Sequence, residues 1–543
     1  MFRSAHIDTF ARDRLPPPER WPQFIFELPE LQFAEQLNCA VELLDRPIEA
    51  GRGGRVCLRA PGQPVWTYAD LQQRVNRIAG VLVNRMGLVP GSRVLLRSPN
   101  KPLLVACWFA VVKAGGIAVG SMPLLRSKEL VQIIDKAQIG LALCDTALTD
   151  ELESAAAAAR APLRWLDFDS LQAAMATESD RFDAVATAAD DVALFGFTSG
   201  TTGQPKATMH LHRDVMAACV CFPPHVLRAT ADDIFIGSPP LGFTFGLGGL
   251  TLFPMHIGAS TVLIEKPSPA VLVDAIEAFA ATVLFTAPTS YRAMAAAARE
   301  RRISKPLGGS LRKCVSAGEA LPAATRSLWR EATGIELIDG IGATEMLHIF
   351  IAADEAGSRA GATGKVVPGY RACIMDETGQ PVPPGVVGRL AVQGPTGCRY
   401  LDDPRQAEYV KDGWNYTGDA YRMDADGYFH YEARTDDMIV SAGYNIAPPE
   451  VEEAVLAHPT VADCAVVGVD DVQRGQIVKA FVVLREGSTG DEGLTAAIQD
   501  FVKARIVPYK YPRAIEFVTD LPRTATGKLQ RFVLRDRSPP KSA

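Results

Sequence analysis

The sequence runs Thr198-Ser199-Gly200-Thr201-Thr202-Gly203-Gln204-Pro205-Lys206 through a loop of hydroxyls and glycines that ends in a lysine. The apolar run 192–197 precedes this loop and predicts a buried strand. Glycines let backbone N–H groups approach an anion closely, hydroxyls donate hydrogen bonds, and Lys206 adds a compact positive charge. A strand that opens into such a loop predicts a phosphate-binding site.

The spacing of this loop differs from that of the nucleoside-triphosphatase loop. Gly200, Gly203 and Lys206 give the pattern G-x-x-G-x-x-K, whereas the triphosphatase loop has a longer gap between its glycines and a Ser or Thr directly after its Lys. Ala207 stands where that hydroxyl would hold magnesium. The loop is therefore predicted to bind a nucleotide phosphate in another manner, and the alternative is a flexible turn.

The composition is that of an ordinary soluble globular protein. Of the 543 residues, 48% are hydrophobic and 22% charged, and the net charge of −6 opposes nucleic-acid binding. The apolar stretch 103–112 has about half of the ~20 residues that a membrane span needs. Residues 1–20 lack the apolar core of a signal peptide, and the 10 cysteines form no C-x-x-C pair. We therefore expect reduced, mostly buried cysteines, a cytoplasmic location, and no nucleic-acid or membrane partner.

Strands and helices alternate along most of the chain, which implies parallel sheets covered by helices. Apolar runs predict strands near residues 94–96, 141–144, 261–264, 282–285 and 311–315. Thr67 and Asp70 have the spacing of a helix N-cap with an acidic partner, and the helix after them has one apolar face. That face consists of Leu71, Val75, Ile78 and Leu82.

The pattern changes after Asp436. Pro448 opens a short helix, strands are predicted near residues 461–469 and 479–484, and the whole unit has about a hundred residues. The expected fold class is thus α/β, with a large N-terminal domain of parallel or mixed sheets covered by helices and a small mobile α+β C-terminal domain. The expected boundaries are 1–435 and 436–543.

A second basic loop lies near the C-terminus, with the sequence Leu521-Pro522-Arg523-Thr524-Ala525-Thr526-Gly527-Lys528-Leu529-Gln530-Arg531. Proline and glycine make it a loop, and Lys528 stands near its tip. Together with the first loop, Asp339-Gly340-Ile341-Gly342-Ala343-Thr344-Glu345, Tyr416-Thr417-Gly418-Asp419 and the segment around Arg434, it resembles the acyl-adenylate-forming superfamily. That superfamily contains acyl- and aryl-CoA ligases, luciferases and the adenylation domains of peptide synthetases.

The resemblance implies roles for individual residues. Thr344 would contact the α-phosphate of ATP, Glu345 would hold Mg²⁺, and Ile341 would pack on adenine where the family usually has Tyr or Phe. Asp419 and Arg434 would bind the ribose. For each of these residues the alternative is a helix N-terminus, a turn or a surface ion pair.

The resemblance also implies two successive half-reactions. Lys528 would bridge the substrate carboxylate and the α-phosphate during adenylation. Rotation of the small domain about Asp436 would then withdraw Lys528 and bring Ser441-Ala442-Gly443-Tyr444 to the site for thiol transfer, with room for the pantetheine arm. The expected catalytic residues are Lys206, Thr344, Glu345 and Lys528. The expected ATP- and CoA-binding residues are Thr198, Ser199, Gly200, Thr201, Thr202, Gly203, Lys206, Gly318, Glu319, Asp339, Gly340, Ile341, Gly342, Thr344, Asp419, Arg434, Lys528, Ser441, Gly443 and Tyr444.

Segments 241–248 and 345–350 resemble benzoate-CoA ligases specifically, and the opening residues 4–13 look most like 2-aminobenzoate-CoA ligases. This resemblance covers essentially the whole chain. It implies a flat aromatic-acid pocket, with glycines that make a narrow slot and an aromatic wall. The expected pocket residues are Phe243, Thr244, Phe245, Gly246, Gly318, Gly340, His348 and Ile349. Ordinary core packing is the alternative for Phe243, Phe245 and His348.

The implied activity is ATP-dependent ligation of an aromatic carboxylate to coenzyme A by a monomer or homodimer. A free-standing enzyme that loads an aryl acid onto a separate carrier protein is the alternative, since only 15 residues follow Lys528 and these hold no carrier domain. An oxygen-dependent luciferase-like enzyme and a non-enzymatic scaffold are further alternatives. The scaffold is disfavoured because the implied site residues are all present, namely Lys206, Glu345, Asp419, Arg434 and Lys528.

Overall fold

The computed structural model of the chain describes residues 2–198, 205–300, 309–441, 444–471, 473–523 and 529–537. By its packing the chain divides into two compact units. The first consists of Met1–Ala372 and Val392–Asn415, and the second of Cys373–Ala391 and Tyr416–Ala543. The domain boundary predicted at Asp436 stays a prediction.

The strands of the described ranges are numbered along the chain. They are β1 (Val56–Arg59), β2 (Trp66–Thr67), β3 (Arg93–Arg97), β4 (Ile117–Ser121), β5 (Leu141–Cys144), β6 (Arg164–Asp167), β7 (Val192–Thr198), β8 (Lys206–Leu211), β9 (Ile234–Gly237), β10 (Ser260–Val262), β11 (Val283–Thr286), β12 (Lys313–Ser316), β13 (Leu337–Gly342), β14 (Ile349–Ala352), β15 (Lys365–Val366), β16 (Arg371–Met375), β17 (Val387–Gln393), β18 (Val410–Lys411), β19 (Trp414–Met423), β20 (Phe429–Arg434), β21 (Ile439–Ser441), β22 (Tyr444–Ile446), β23 (Val461–Asp471), β24 (Gly475–Leu484) and β25 (Ala514–Phe517).

The α-helices are numbered in the same way. They are α1 (Phe10–Asp13), α2 (Tyr68–Asn84), α3 (Pro102–Lys113), α4 (Ser127–Ala137), α5 (Thr149–Ala158), α6 (Phe168–Met175), α7 (His212–Phe222), α8 (Thr244–Leu247), α9 (Phe253–Ile257), α10 (Pro269–Phe279), α11 (Pro288–Glu300), α12 (Ala323–Thr333), α13 (Gln406–Tyr409), α14 (Pro448–Leu456), α15 (Glu492–Lys503) and α16 (Arg531–Asp536).

The first unit contains two large sheets. One has six strands in the order β6-β5-β3-β4-β7-β8, all parallel except for the antiparallel edge pair β7 and β8. The other has nine strands in the order β15-β14-β13-β12-β11-β9-β10-β1-β2, with a parallel centre and antiparallel edges. The predicted α/β class with parallel and mixed sheets is confirmed.

Helices cover these sheets because their apolar faces are buried against the strands. Thr67 caps α2 as predicted: its Oγ1 accepts the N–H of Asp70 at 3.1 Å, and Asp70 Oδ2 accepts the N–H of Thr67 at 2.9 Å. The four apolar residues predicted for one face of α2 are all buried. Under the nine-stranded sheet, Trp329 of α12 packs edge-on against Tyr291 of α11, with ring centroids 4.8 Å apart.

The second unit has its own sheet and core. Strands β22, β21, β24 and β23 are neighbours in that order, and β25 joins β24. Val466, Val482 and Ile498 are fully buried in a core that α14 and α15 help to close. An antiparallel pair, β19 and β20, brings Asp419 opposite Arg434.

Two further observations concern the whole described chain. Over the ranges given above, the structure contains no helix long and apolar enough to pass through a membrane. The 10 cysteines are free thiols, and all except Cys373 are buried, as expected for most of them.

A fully buried ion pair joins α7 to the segment that follows residue 398. Nη1 of Arg399 lies 2.7 Å from Oδ2 of Asp214, and both side chains are 0% exposed. The Arg399 guanidinium also lies 4.3 Å from the ring centroid of Phe24. Burial alone would raise the pKa of Asp214, but the charge of Arg399 and the neighbouring His210 hold that pKa at about 2. Asp214 is therefore ionised at every ordinary pH.

We expect Asp214→Asn to destabilise the protein by about 3–5 kcal/mol, because Arg399 would keep a buried charge without a partner. The midpoint of urea unfolding measures this effect. Asp232→Asn is the matched control, since Asp232 pairs with Arg55 at an exposed surface and should contribute little. An unfolding midpoint of Asp214→Asn equal to that of the wild type would contradict a stabilising role of the Asp214–Arg399 pair.

The same pair has a defined pH dependence. Because the folded-state pKa of Asp214 lies below the ordinary value of ~3.9, its stabilisation is present above that value and is lost as the pH falls towards 2. The difference in unfolding midpoint between wild type and Asp214→Asn should therefore shrink only below about pH 4.

Candidate active site

The predicted phosphate loop connects two paired strands at the edge of the six-stranded sheet. Thr198 of β7 pairs with Lys206 of β8 where the loop leaves and re-enters the sheet. The strand predicted at residues 192–197 is confirmed as β7. Some of the predicted phosphate-binding residues lie outside the described part of the chain, namely Ser199, Gly200, Thr201, Thr202 and Gly203.

The motif around Thr344 lies directly against these two strands. Nε2 of His210, on β8, donates to the carbonyl oxygen of Thr344 at 2.8 Å. On β7, a Cβ at Gly196 would lie only 2.6 Å from Cγ2 of Thr344, so a glycine is required for this approach. The same position would be 3.6 Å from Cγ2 of Thr244. The structure thus brings together residues that are far apart in the sequence.

Glu345 and Lys206 are linked through a tyrosine that the sequence did not single out. The Tyr400 hydroxyl donates to Oε1 of Glu345 at 2.5 Å. Nζ of Lys206 lies 3.4 Å from the same hydroxyl and 5.1 Å from the ring centroid. Tyr400 is only 1% exposed. It lies outside the sequence motifs quoted above, so its contacts with Glu345 and Lys206 are seen only in the folded chain.

The ends of β12 and β13 form the neighbouring part of the site. These strands are parallel, and Ser316 pairs with Asp339. Gly318 and Glu319 follow the end of β12, at the carboxyl edge where open α/β sheets usually bind ligands. Burial raises the pKa of the Asp339 carboxyl to about 7, although the charge of Arg326 opposes that shift.

The residues present fit a magnesium ion bound chiefly through phosphate. Within the described ranges, the structure has no group of three or more His, Cys, Asp or Glu side chains placed to hold a metal. Glu345 offers a single carboxylate that is 9% exposed and is oriented by Tyr400. Magnesium typically takes one or two carboxylates together with substrate phosphates and water, so this donor set suits it.

The predicted acid pocket contains a histidine within a cluster of phenylalanine rings. His348 is 4% exposed, and its ring centroid lies 4.4 Å from that of Phe253 and 5.7 Å from that of Phe245. The rings of Phe222 and Phe285 are 5.8 and 6.4 Å away. Burial lowers the pKa of His348 to about 3, so its imidazole is neutral. His348 is thus packed like a core histidine and also contacts a predicted pocket wall.

The other predicted pocket residues surround this cluster. Thr244 and Gly246 belong to α8 and are buried, whereas Phe243 and Phe245 are partly exposed. Ile349 begins β14 next to β13, where Gly342 is its partner. Two predicted residues differ in burial, since Gly340 is buried and Gly318 is exposed.

In the second unit, the predicted ribose residues form an ion pair. Arg434 Nη1 donates to Oδ1 of Asp419 at 3.0 Å and to the carbonyl of Thr417 at 3.0 Å. The charge of Asp419 raises the pKa of Arg434, which stays a cation. The two side chains come from paired positions of β19 and β20, so the sheet register brings them together.

The predicted hinge residue lies in a short helical turn, Thr435–Asp437, that the last helix binds. Asp436 is exposed, and its carbonyl accepts a hydrogen bond from Arg535 at 3.0 Å. The Asp437 carboxylate pairs with Arg535 at 3.0 Å and with Arg531 at 3.4 Å. Arg531 also pairs with Glu452 at 2.8 Å.

The predicted thiol-transfer segment is a hairpin of β21 and β22. Ser441 is buried and pairs with Tyr444. The Tyr444 side chain is 54% exposed and stacks on Tyr509 with centroids 4.4 Å apart. Gly443 and Lys528 lie outside the described residues.

Family models match both parts of the chain. The model described as AMP-binding enzyme matches residues 47–399, and the AMP-binding enzyme C-terminal domain matches residues 450–528. The first match contains Lys206, Thr344 and Glu345, and the second ends at Lys528.

Relatives and solved structures agree with these models over almost the full length. The benzoate–CoA ligase of Thauera aromatica is 35% identical, over 93% of this chain and 97% of that protein. The crystal structure of the anthranilate–CoA ligase AuaEII in complex with anthranoyl-AMP has a TM-score of 0.88 at 32% identity, covering 94% of this chain and 99% of that one. The ATP-bound MatB of Rhodopseudomonas palustris has a TM-score of 0.84 at 30% identity, with 92% and 99% coverage.

Proposed function

The chain belongs to the AMP-binding, acyl-adenylate-forming enzyme family, and we propose that it is an ATP-dependent aryl-CoA ligase. It activates an aromatic carboxylate of the 2-aminobenzoate or benzoate type as an acyl-AMP and transfers the acyl group to coenzyme A, releasing AMP and pyrophosphate. The observation that carries this proposal is the meeting of Lys206, Thr344 and Glu345 at one place, from segments widely separated in sequence.

The chemistry explains why these residue types are needed together. A carboxylate must attack the α-phosphate of ATP, and the two anions repel each other. Preorganised positive charge and hydrogen-bond donors reduce that repulsion and are commonly the largest catalytic contribution. Lys206 supplies a cation beside the predicted phosphate loop, and Thr344 contributes its hydroxyl and backbone next to β7. Magnesium held by Glu345 would add charge neutralisation on the phosphate oxygens.

The sugar and thiol steps are assigned to the second unit. The Asp419 carboxylate accepts hydrogen bonds from the ribose hydroxyls of ATP, and Arg434 orients that carboxylate and donates to the same sugar. Lys528 acts in adenylation, whereas the hairpin that contains Ser441 and Tyr444 acts in thiol transfer after a rotation at Asp436.

Two observations support an aromatic acid. One relative named above is a benzoate–CoA ligase, and the anthranilate–CoA ligase structure named above holds anthranoyl-AMP. In this chain, the partly exposed ring of Phe245 lies beside a neutral His348 among further phenylalanines, which suits an uncharged planar ring. The methyl groups of Thr244 and Thr344 both lie near Gly196, since a Cβ there would be 3.6 Å from the first and 2.6 Å from the second.

A substrate panel tests the proposed activity. We expect pyrophosphate release with 2-aminobenzoate and benzoate to exceed that with medium-chain fatty acids by about 10-fold or more, because a flat slot excludes flexible chains. Salicylate and 4-hydroxybenzoate, which are also flat, complete the panel. CoA and a phosphopantetheinyl carrier protein are compared as acceptors. A preference for fatty acids would contradict the aromatic pocket, and acylation of the carrier alone would favour the carrier-loading alternative.

Substitution of the C-terminal lysine should separate the two half-reactions. We expect Lys528→Ala to lower adenylate formation by at least about 100-fold, because the charge that bridges the two anions is lost. Thiol transfer to CoA from presynthesised aryl-AMP should remain within about 3-fold of wild type. Single-turnover assays measure both steps, and Lys510→Ala serves as a control. Equal loss of the two half-reactions would contradict this division.

Substitution of Gly248 should affect the acid selectively. A Cβ at Gly248 would lie 2.3 Å from Cδ2 of His348, so an alanine must displace that ring. We expect Gly248→Ala to raise KM for the aromatic acid about 10-fold and to leave KM for ATP within about 2-fold. Gly140→Ala is the matched control, since its Cβ would meet nothing within 4 Å. Unchanged acid KM in a folded Gly248→Ala variant would place the pocket elsewhere.

A further inference from the structure

Tyr400 is held in place by the same strand that begins at Lys206. Thr208 of β8 forms an antiparallel bridge with Tyr400. On either side, the N–H of Met209 donates to Arg399 O at 2.8 Å, and the N–H of Leu401 donates to Ala207 O at 2.9 Å. The segment around Tyr400 therefore extends the edge of the six-stranded sheet, and its position is fixed relative to the lysine.

Side-chain contacts fix the same segment from the other side. The backbone N–H of Tyr400 donates to Oε1 of Gln406 at 2.9 Å, and its ring packs edge-on against Tyr409 at 5.8 Å. The preceding residue, Arg399, is anchored by its buried ion pair with Asp214. Since Tyr400 is only 1% exposed, its hydroxyl has one well-defined location.

That hydroxyl lies between a cation and an anion. A tyrosine hydroxyl has one proton to donate and lone pairs that accept. Because the proton goes to Oε1 of Glu345 at 2.5 Å, the lone pairs face the Lys206 ammonium at 3.4 Å. Hydrogen bonding thus runs in one direction, from Lys206 to Tyr400 to Glu345.

A neutral spacer has a consequence that a direct ion pair would not have. If Lys206 bound Glu345 directly, each charge would be compensated by the other and less available to ATP and its metal. In this structure a neutral hydroxyl, that of Tyr400, donates to one carboxylate oxygen of Glu345, and the other oxygen can bind a cation. Lys206 contacts the same hydroxyl, so its charge is not compensated by the Glu345 carboxylate. Partners that orient a metal-binding carboxylate in this way typically affect metal affinity by 10–100-fold.

We propose that Tyr400 is a positioning residue of the nucleotide site, which orients Glu345 towards the magnesium of MgATP. This inference rests on the proposed function. It adds a residue that acts through Glu345 and that itself does not contact the reacting atoms.

Binding of a non-hydrolysable ATP analogue to Tyr400→Phe tests the proposal without turnover. Calorimetric titration in the presence and absence of Mg²⁺ gives the factor by which Mg²⁺ tightens binding. We expect that factor to fall about 10-fold in Tyr400→Phe, because the substitution removes the hydroxyl that orients the Glu345 carboxylate and leaves the ring in place. Tyr68→Phe is the matched control: Tyr68 is also buried, donates to the Ala259 carbonyl at 2.9 Å and should keep the wild-type factor.

A double-mutant cycle with Glu345→Gln tests the route of the effect. If Tyr400 acts through Glu345, the double variant should lose no more Mg²⁺-dependent affinity than Glu345→Gln alone, so the two effects are not additive. In steady-state assays, Tyr400→Phe should raise KM for MgATP about 10-fold and leave KM for the acid within about 2-fold. Additive effects, or an equal loss of analogue binding with and without Mg²⁺, would overturn the proposal.

Failure of this inference can be told from failure of the proposed function. An enzyme whose wild type releases no pyrophosphate with any acid in the panel contradicts the function itself. A wild type that is active, with Tyr400→Phe equal to it in Mg²⁺ dependence and in KM for MgATP, contradicts only the role of Tyr400. Melting temperatures of both tyrosine variants establish that they are folded.

Discussion

The site of the first unit depends on how closely two sheets can approach each other at Gly196. β7 belongs to the six-stranded sheet and Thr344 follows the nine-stranded one, yet no side chain separates them at this point. His210 fixes the contact by donating to the carbonyl of Thr344. A Cβ at position 196 would lie 2.6 Å from Cγ2 of Thr344, so Thr344 would have to shift from its place beside β7.

A buried ion pair includes the residue next to Tyr400 in the sequence. Arg399 and Asp214 are ionised inside the protein, and their pairing anchors the segment that presents Tyr400. Replacing such a pair by apolar residues is often tolerated for stability, whereas removing one partner is not. Arg399 of this pair directly precedes Tyr400, and Tyr400 itself forms a bridge with Thr208 of β8.

Local features of the fold could be predicted from the sequence, because they depend on neighbouring residues. The capping pair Thr67 and Asp70 and the strand before the phosphate loop are examples. Strand ends were less accurate: the run predicted at residues 311–315 forms a strand only over Lys313–Ser316, since the register is set by β11 and β13 rather than by hydropathy.

The residues that form the site could be predicted only in part from the sequence. Motif residues such as Thr344 and Glu345 could be named because segment 339–345 resembles a motif of the acyl-adenylate-forming superfamily. Tyr400 and His210 could not, because the partner of each side chain lies more than fifty residues away in the sequence. The pairing of Asp419 with Arg434 likewise depends on the register of β19 and β20. Long-range pairing is what a single sequence leaves undetermined.

Two arginines of α16 bind this last helix to the turn that follows Arg434. Arg531 and Arg535 both form ion pairs with the Asp437 carboxylate, which lies in that turn. Lys528 precedes that helix by only a few residues in the sequence. In the proposed rotation at Asp436, α16 would therefore move together with the turn to which its arginines bind.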